Sequence, residues 1–231
     1  MAYIGSQPAN KPVVASDLDP AVITGQTALA VAPADTDEFL LSDAGTLKRI
    51  DYSLLKATPH KTLLLTTTIS SSTANITVNN SYITSSFRDY YFTISNLRTV
   101  NDGVNIMLRY STDNGSSFLT SSYDVAVRGY RSDDSTEKDN NENGAEIRIS
   151  VPDIGNGTGE NFNMGAYMYN FLATDNRKFL RFNSAFNDNS GHGISEHGMG
   201  FHNSNTAVNC FKIYASSDNI SACVFKFYGI T

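Results

Sequence analysis

Three stretches of this chain hold residue types at spacings that could do chemistry. Ser111-Thr112-Asp113-Asn114-Gly115-Ser116-Ser117-Phe118 fits the pattern S-x-D-x-G-x-[ST]-aromatic, the Asp box. Its mechanics are those of a hairpin: Asp-Asn-Gly tolerates positive φ, the Asp113 carboxylate accepts bonds from turn N–H groups, and Phe118 packs beneath. Asp139, Asn141 and Asn143, ahead of Gly144, match the first half of a calcium loop. The twelfth position is Ser150, where a bidentate Glu is expected, and a strand pattern follows Gly144 instead of a helix. A solvated polar loop is therefore the competing expectation. His192, His197 and His202 stand five residues apart in a Gly-rich stretch. Neutral imidazoles ligate transition metals, but an odd spacing turns successive strand residues to opposite faces. A flexible surface loop is expected there, with a metal site or a ligand-contacting loop tip as alternatives.

No nucleophile elbow, zinc-protease helix motif, P-loop or dinucleotide fingerprint is present. Carboxylate neighbours such as Asp133 and Asp134 fall in a polar stretch without the marks of a partly buried glycosidase pair. The expectation is a protein that is not an enzyme and uses no cofactor. Tyr167, Tyr169, Phe186 and Phe201 could stack on sugars, with core or subunit-interface packing as the competing role. With a net charge of -6, nothing in the sequence resembles the basic stripe that a nucleic-acid binder needs, and nucleic acid is not an expected partner. No apolar run approaches the roughly 20 residues that span a bilayer. The start, MAYIGSQPANKPVV, lacks the charged and apolar regions of a secretory signal. Synthesis in a cytoplasm is expected. Cys210 and Cys223 read as free thiols in a sheet, unless neighbouring strands match their Cβ positions for a disulfide.

The elements that would position these residues are nearly all strands. Residues 1–37 carry Pro8, Pro12, Pro20 and Pro33 and no sustained period, which predicts an extended arm. Its apolar points, among them Val13, Val14, Leu29 and Val31, suit ordering against a partner surface. Residues 38–57 read as a hairpin and one helical turn. Phe39-Leu40-Leu41 makes a strand, Asp43-Ala44-Gly45 the turn, Leu47 and Ile50 the return strand, and Asp51 or Ser53 caps a turn holding Leu54 and Leu55. A lone hairpin is marginal in water, so Phe39, Leu41, Leu47, Ile50 and Leu54 are candidate assembly residues around Gly45. Residues 58–231 alternate apolar and polar at Val104–Tyr110, Tyr123–Val127 and Ala145–Val151. Further strands are expected at Thr62–Ile69, Asn75–Val78, Tyr90–Leu97, Phe162–Phe171, Phe179–Phe186, Val208–Tyr214 and Cys223–Tyr228. The fold class is all-β: an antiparallel jelly-roll-like sandwich after an extended arm and a small hairpin with a short helical turn.

The line PADTDEFLLSDAGTLKRIDYSLLK, Pro33–Lys56, resembles a module near the N-termini of tail-fibre-like proteins of bacteriophages, marine ones especially. VNDGVNIMLRYSTDNGSSF, Val100–Phe118, and the end FKFYGIT, Phe225–Thr231, are similar to a β-sandwich domain of phage virion proteins that commonly closes in LYGI. The resemblance implies a virion structural protein, a homotrimer bound by its N-terminal arm to other virion proteins, with the sandwich outward. No repetitive shaft separates Ala57 from the sandwich, which leaves a short tail fibre, a tail-associated component and a capsid decoration protein (head cement or head fibre) as forms. A host-surface glycan is a further candidate partner. A carbohydrate-binding module or glycan-active enzyme is the reading from another class.

Overall fold

The computed structural model describes residues 21–56, 60–133 and 136–231. The chain divides into two compact units, Met1–Thr58 and Pro59–Thr231.

In the first unit, most of the expected arm, with Val13 and Val14, lies outside the described residues. Ala21–Thr24 forms a single helical turn (α1), closed by the Gly25 N–H donating to Ala21 O at 2.8 Å. The expectation of purely extended chain is corrected there; prolines break helix interiors, and none falls inside this turn. β1 (Glu38–Asp43) and β2 (Thr46–Asp51) pair antiparallel from Glu38↔Asp51 to Asp43↔Thr46. Ala44 and Gly45 link them at φ 50° and 84°, the two positive values of a type I′ turn, whose twist matches that of the strands. α2 (Tyr52–Leu55) follows with Asp51 at its N-cap position, but no side chain makes the capping bond. Backbone bonds hold the turn instead: Tyr52 N–H donates to Asp37 O at 2.7 Å and Ser53 N–H to Asp35 O at 3.2 Å.

The second unit has two sheets. β3 (Lys61–Ile69), β5 (Asp89–Thr99), β7 (Tyr123–Arg131), β8 (Thr136–Gly144), β10 (Phe162–Tyr169), β11 (Lys178–Asn187), β12 (Gly193–His202) and β14 (Ile220–Ile230) form one sheet, in the order β3-β14-β5-β10-β11-β12-β7-β8. β4 (Ile76–Val78), β6 (Ile106–Ser111), β9 (Ile147–Arg148) and β13 (Cys210–Ala215) form the other, in the order β4-β13-β6-β9. All pairs are antiparallel. β3 pairs with β14, β4 with β13, β5 with β10 and β6 with β9. The first half of the unit thus lies along the second as one long hairpin. Its successive strand pairs alternate between the sheets, which is the jelly-roll winding. Two further hairpins are inserted, β7–β8 between β6 and β9 and β11–β12 between β10 and β13. β12 pairs with β7, so the insertions join edge to edge and extend the larger sheet as a wing.

The core lies between the sheets. Phe92 of β5 meets Phe211 of β13 at 5.9 Å between ring centroids, and Phe227 of β14 meets Phe211 at 5.7 Å. Each of these rings is fully buried, a contribution of about 1.5–3 kcal/mol apiece.

Two strands run where loops were expected. The Gly-rich histidine stretch is β12, paired on both sides. Its glycines are filled from neighbours: a Cβ at Gly198 would come within 2.5 Å of the Phe182 ring, and one at Gly200 within 2.7 Å of Ile147. Large side chains supply the packing that glycine lacks, and a strand of low propensity holds. The polar run TEKDNNENG is β8, an edge strand against β7. Charged, polar sequence suits an edge, where it discourages pairing with another chain. Conversely, the expected strand Ala145–Val151 keeps its alternation, with Ile147, Ile149 and Val151 buried, but only Ile147–Arg148 pairs as β9. Side chains end the ladder: Ile106 N–H donates to Ser150 Oγ at 2.8 Å and Val151 N–H to Glu196 at 2.8 Å.

Candidate functional site

The Asp-box turn leaves β6 and forms as its residue types dictate. Asn114 and Gly115 take φ 61° and 89°. The Asp113 carboxylate accepts from the Ser117 hydroxyl at 2.6 Å, the Ser117 N–H at 2.9 Å and the Ser111 hydroxyl at 2.7 Å. These bonds, the Ser117 hydroxyl first, hold its pKa down at about 2. The Ser111 hydroxyl also accepts the Gly115 N–H at 2.9 Å. Phe118 packs under Lys212, whose Nζ is 4.5 Å from the ring centroid. The Asp113 and Ser111 bonds close the turn, and Asn114 ties it to its neighbours, its Oδ1 accepting the Asn80 N–H at 3.0 Å and its N–H donating to Asn209 Oδ1 at 2.9 Å, so the motif is a structural closure.

The candidate metal ligands do not converge. Asp139 and Asn141 occupy the extended backbone of β8, opposite Val127 and Val125. A calcium loop must curl around its ion, whereas a strand spreads residues at about 3.3 Å each, so the calcium-loop reading is corrected. Asn143 closes that strand, its N–H donating to Asp124 at 2.9 Å. The histidines part as the odd spacing implies. His197 faces outward and is exposed, while His202 is buried inward against Tyr123 at 5.0 Å. Burial, with Lys178 nearby, lowers the His202 pKa. His192 lies in the turn before β12, where Arg131 donates to its Nδ1 at 2.7 Å. Among the described residues no three His, Cys, Asp or Glu stand together as a metal ion needs.

Buried ionisable groups are engaged in structure. Glu196, on the inner face of β12, accepts from Val151 N–H and from Ser184 Oγ at 3.1 Å. Asp188 takes Arg131 Nε at 3.0 Å and the N–H groups of Ser190 and His192 at 2.9 and 2.8 Å. Lys178 Nζ, fully buried, donates to the carbonyls of Ala173, Asn176 and Asn205 at 2.5–2.7 Å, and burial lowers its pKa. Asp133 lies 3.5 Å from Arg131; Asp134 is outside the described residues. Cys210 and Cys223 are free and buried on opposite sheets, and burial raises their thiols to about 11 and about 12.

The aromatic candidates divide. Phe186 is core, 5.3 Å from Phe162. Phe201 pairs with Phe179 at 4.8 Å, half-buried on the outer face of the wing. Tyr167 and Tyr169 stack outward at 6.2 Å beside Tyr91, which lies 4.7 Å from Tyr167. The same outer face carries Arg181, Asn183 and Arg128, which sequence reasoning did not single out. Each sits at an alternating strand position, but only cross-strand pairing brings them beside the tyrosines.

In the first unit none of the described side chains is buried. Leu40 and Leu54 are each 74 % exposed, Leu55 50 % and Phe39 41 %, while Leu41 and Ile50 are half-covered. The side chain of Leu47 lies outside the described set. Gly45 holds the turn at positive φ with open space around it. No family model, no curated protein and no solved structure matches the chain.

Proposed function

We propose that this chain is a structural protein of a bacteriophage particle, a short tail fibre or tail-associated component. The N-terminal unit anchors it and the jelly roll faces outward. The observation that carries this reading is the coreless first unit: a hairpin and a helical turn with Leu40, Leu54 and Leu55 in solvent. Hydrophobic burial is what holds small elements together, and among the described residues of this unit no side chain is fully buried. A surface on other copies of the chain or on neighbouring virion proteins supplies it. The resemblance of Pro33–Lys56 and Val100–Phe118 to phage virion modules supports the same role, with the copies associating as trimers.

Immunogold labelling tests it. An antibody against the jelly roll should mark purified particles at regular positions on the tail. Regular marks on the head would replace the tail reading by capsid decoration. Marks confined to unassembled protein would overturn the virion reading altogether.

A further inference from the structure

The outward face of the eight-stranded sheet is ordered in cross-strand rows. One row reads Tyr228, Tyr91, Tyr167, Arg181, Met199, Ala126 from β14 to β7. The next reads Lys226, Thr93, Gly165, Asn183, His197, Arg128. The first row carries three tyrosine rings and Arg181; the second is polar, small at Thr93 and Gly165 and longer at Lys226, His197 and Arg128. Gly165 has no side chain because the Tyr91 ring leans across it: a Cβ there would come within 2.5 Å of the Tyr91 hydroxyl oxygen. A hollow of about 320 Å³ opens between Tyr91, Gly165, Tyr167, Arg181 and Asn183. Beyond Arg181 and Asn183 it gives way to one of about 720 Å³ bordered by Arg128, His197 and Met199. With strands about 4.8 Å apart, the two rows cross roughly 24 Å of sheet.

The charge of these two rows opposes that of the chain, while Asp89 and Asp124 stand on the same face outside them. The whole protein carries -6, yet neither row holds an Asp or Glu. Arg181, Arg128 and Lys226 lie in the rows, and Lys61 Nζ sits 3.5 Å above the Tyr91 ring. Among the described residues, Arg181, Arg128 and Lys226 have no carboxylate partner. Unpaired cations spaced along an open face favour a ligand with spaced negative charges, and a guanidinium can fork onto two oxygens of a carboxylate or sulfate. Thr93, Asn183 and His197 bring both donors and acceptors for hydroxyl groups. Tyr167 and Met199 offer apolar surface for the C–H face of a sugar ring.

We infer that this face binds an acidic polysaccharide, a chain of hydroxyl-rich rings bearing carboxylate or sulfate. Binding here goes beyond the particle role and does not depend on it; immunogold positions and sugar affinity are separate readouts.

The test titrates the full-length chain with alginate, chondroitin sulfate, neutral dextran, polyglutamate and oligothymidine, at low and physiological ionic strength. At least one acidic polysaccharide should bind, and dextran should not. Alginate alone would assign the charge to carboxylate; a preference for chondroitin sulfate would assign it to sulfate. Arg181→Gln and, separately, Arg128→Gln should each weaken binding about tenfold. Tyr167→Ala should weaken it comparably, and Lys48→Gln on the hairpin should leave it unchanged. All four side chains are exposed, so unchanged unfolding midpoints verify the fold. Absence of acidic-polysaccharide binding overturns the inference. So does polyglutamate or oligothymidine binding as tightly as the sugars, or affinity indifferent to Arg181→Gln and Tyr167→Ala.

Discussion

The hydroxyl of Tyr123, on β7 of the large sheet, accepts a hydrogen bond at 2.7 Å from the backbone N–H of Tyr110, on β6 of the small one. This bond ties the inserted wing to the jelly roll across the core. The Tyr110 hydroxyl is itself buried and without a hydrogen-bond partner. The two tyrosines, 5.7 Å apart between ring centroids, should therefore respond oppositely to loss of oxygen. Tyr123→Phe strands a buried N–H and should lower unfolding free energy by about 1–3 kcal/mol. Tyr110→Phe removes a desolvated hydroxyl and should be neutral or raise stability by about 1 kcal/mol. Urea unfolding of both variants measures this, and equal losses would refute the asymmetry.

The Asp-box turn should contribute acid-sensitive stability. The folded pKa of Asp113, about 2, lies below its ordinary 3.8. As pH falls, the unfolded chain takes the proton first, so the contribution is whole above about pH 4 and is lost on the way down to about 2. Asp113→Asn should melt below the wild type near neutrality, and the gap should close at about pH 2. Other carboxylates titrate in both proteins and cancel in the difference. A gap independent of pH would show that the carboxylate's charge is not what the turn uses.

Gly198→Ala should destabilise by about 1–3 kcal/mol, because its Cβ would meet the buried Phe182 ring at 2.5 Å. Gly193→Ala, on the same strand, meets nothing nearer than 3.9 Å and should be near neutral. Indistinguishable unfolding midpoints would contradict the packing that makes this stretch a strand.

The native thiols should resist modification. With Cys210 and Cys223 raised to about 11 and about 12 inside the core, a chromogenic disulfide reagent at about pH 8 should find almost no thiolate. In urea both should react. Prompt reaction of the native protein would place at least one thiol in solvent.

The hairpin should act in assembly and not in folding of the jelly roll. Leu40→Asp with Leu54→Asp changes two exposed side chains, so the main unfolding transition should not move. Light scattering should show a trimer for the wild-type chain and a monomer for the variant. Gly45→Val, which forces a β-branched residue to φ near 84°, should weaken association in the same direction. A trimer that survives both changes would remove the hairpin from the interface.

Much of the fold was legible because its signals are local. Val104–Tyr110 alternates, and Val104, Ile106, Leu108 and Tyr110 are all buried, with Met107 of the opposite face covered as well. Ala44-Gly45 and Asn114-Gly115 supply the positive φ values their turns use. β12 was hidden because Gly198 and Gly200 have no intrinsic claim to a strand, and their packing comes from Phe182 and Ile147. β8 was hidden because an edge strand need not be apolar. For Phe186 the sequence left sugar stacking open beside core packing, and its inward position on β11 makes it core.

What this chain's sequence determines by itself is which residues alternate, where the chain turns and that enough apolar surface exists for an all-β core. These follow from periodicity and turn chemistry within a few residues. The tertiary structure alone decides which strands are neighbours. Tyr91, Tyr167, Arg181 and Met199 stand in one row, although more than a hundred residues separate the first from the last. Cross-strand adjacency depends on how the two halves of the jelly roll pair and where the inserted hairpins dock, and no local pattern encodes that register.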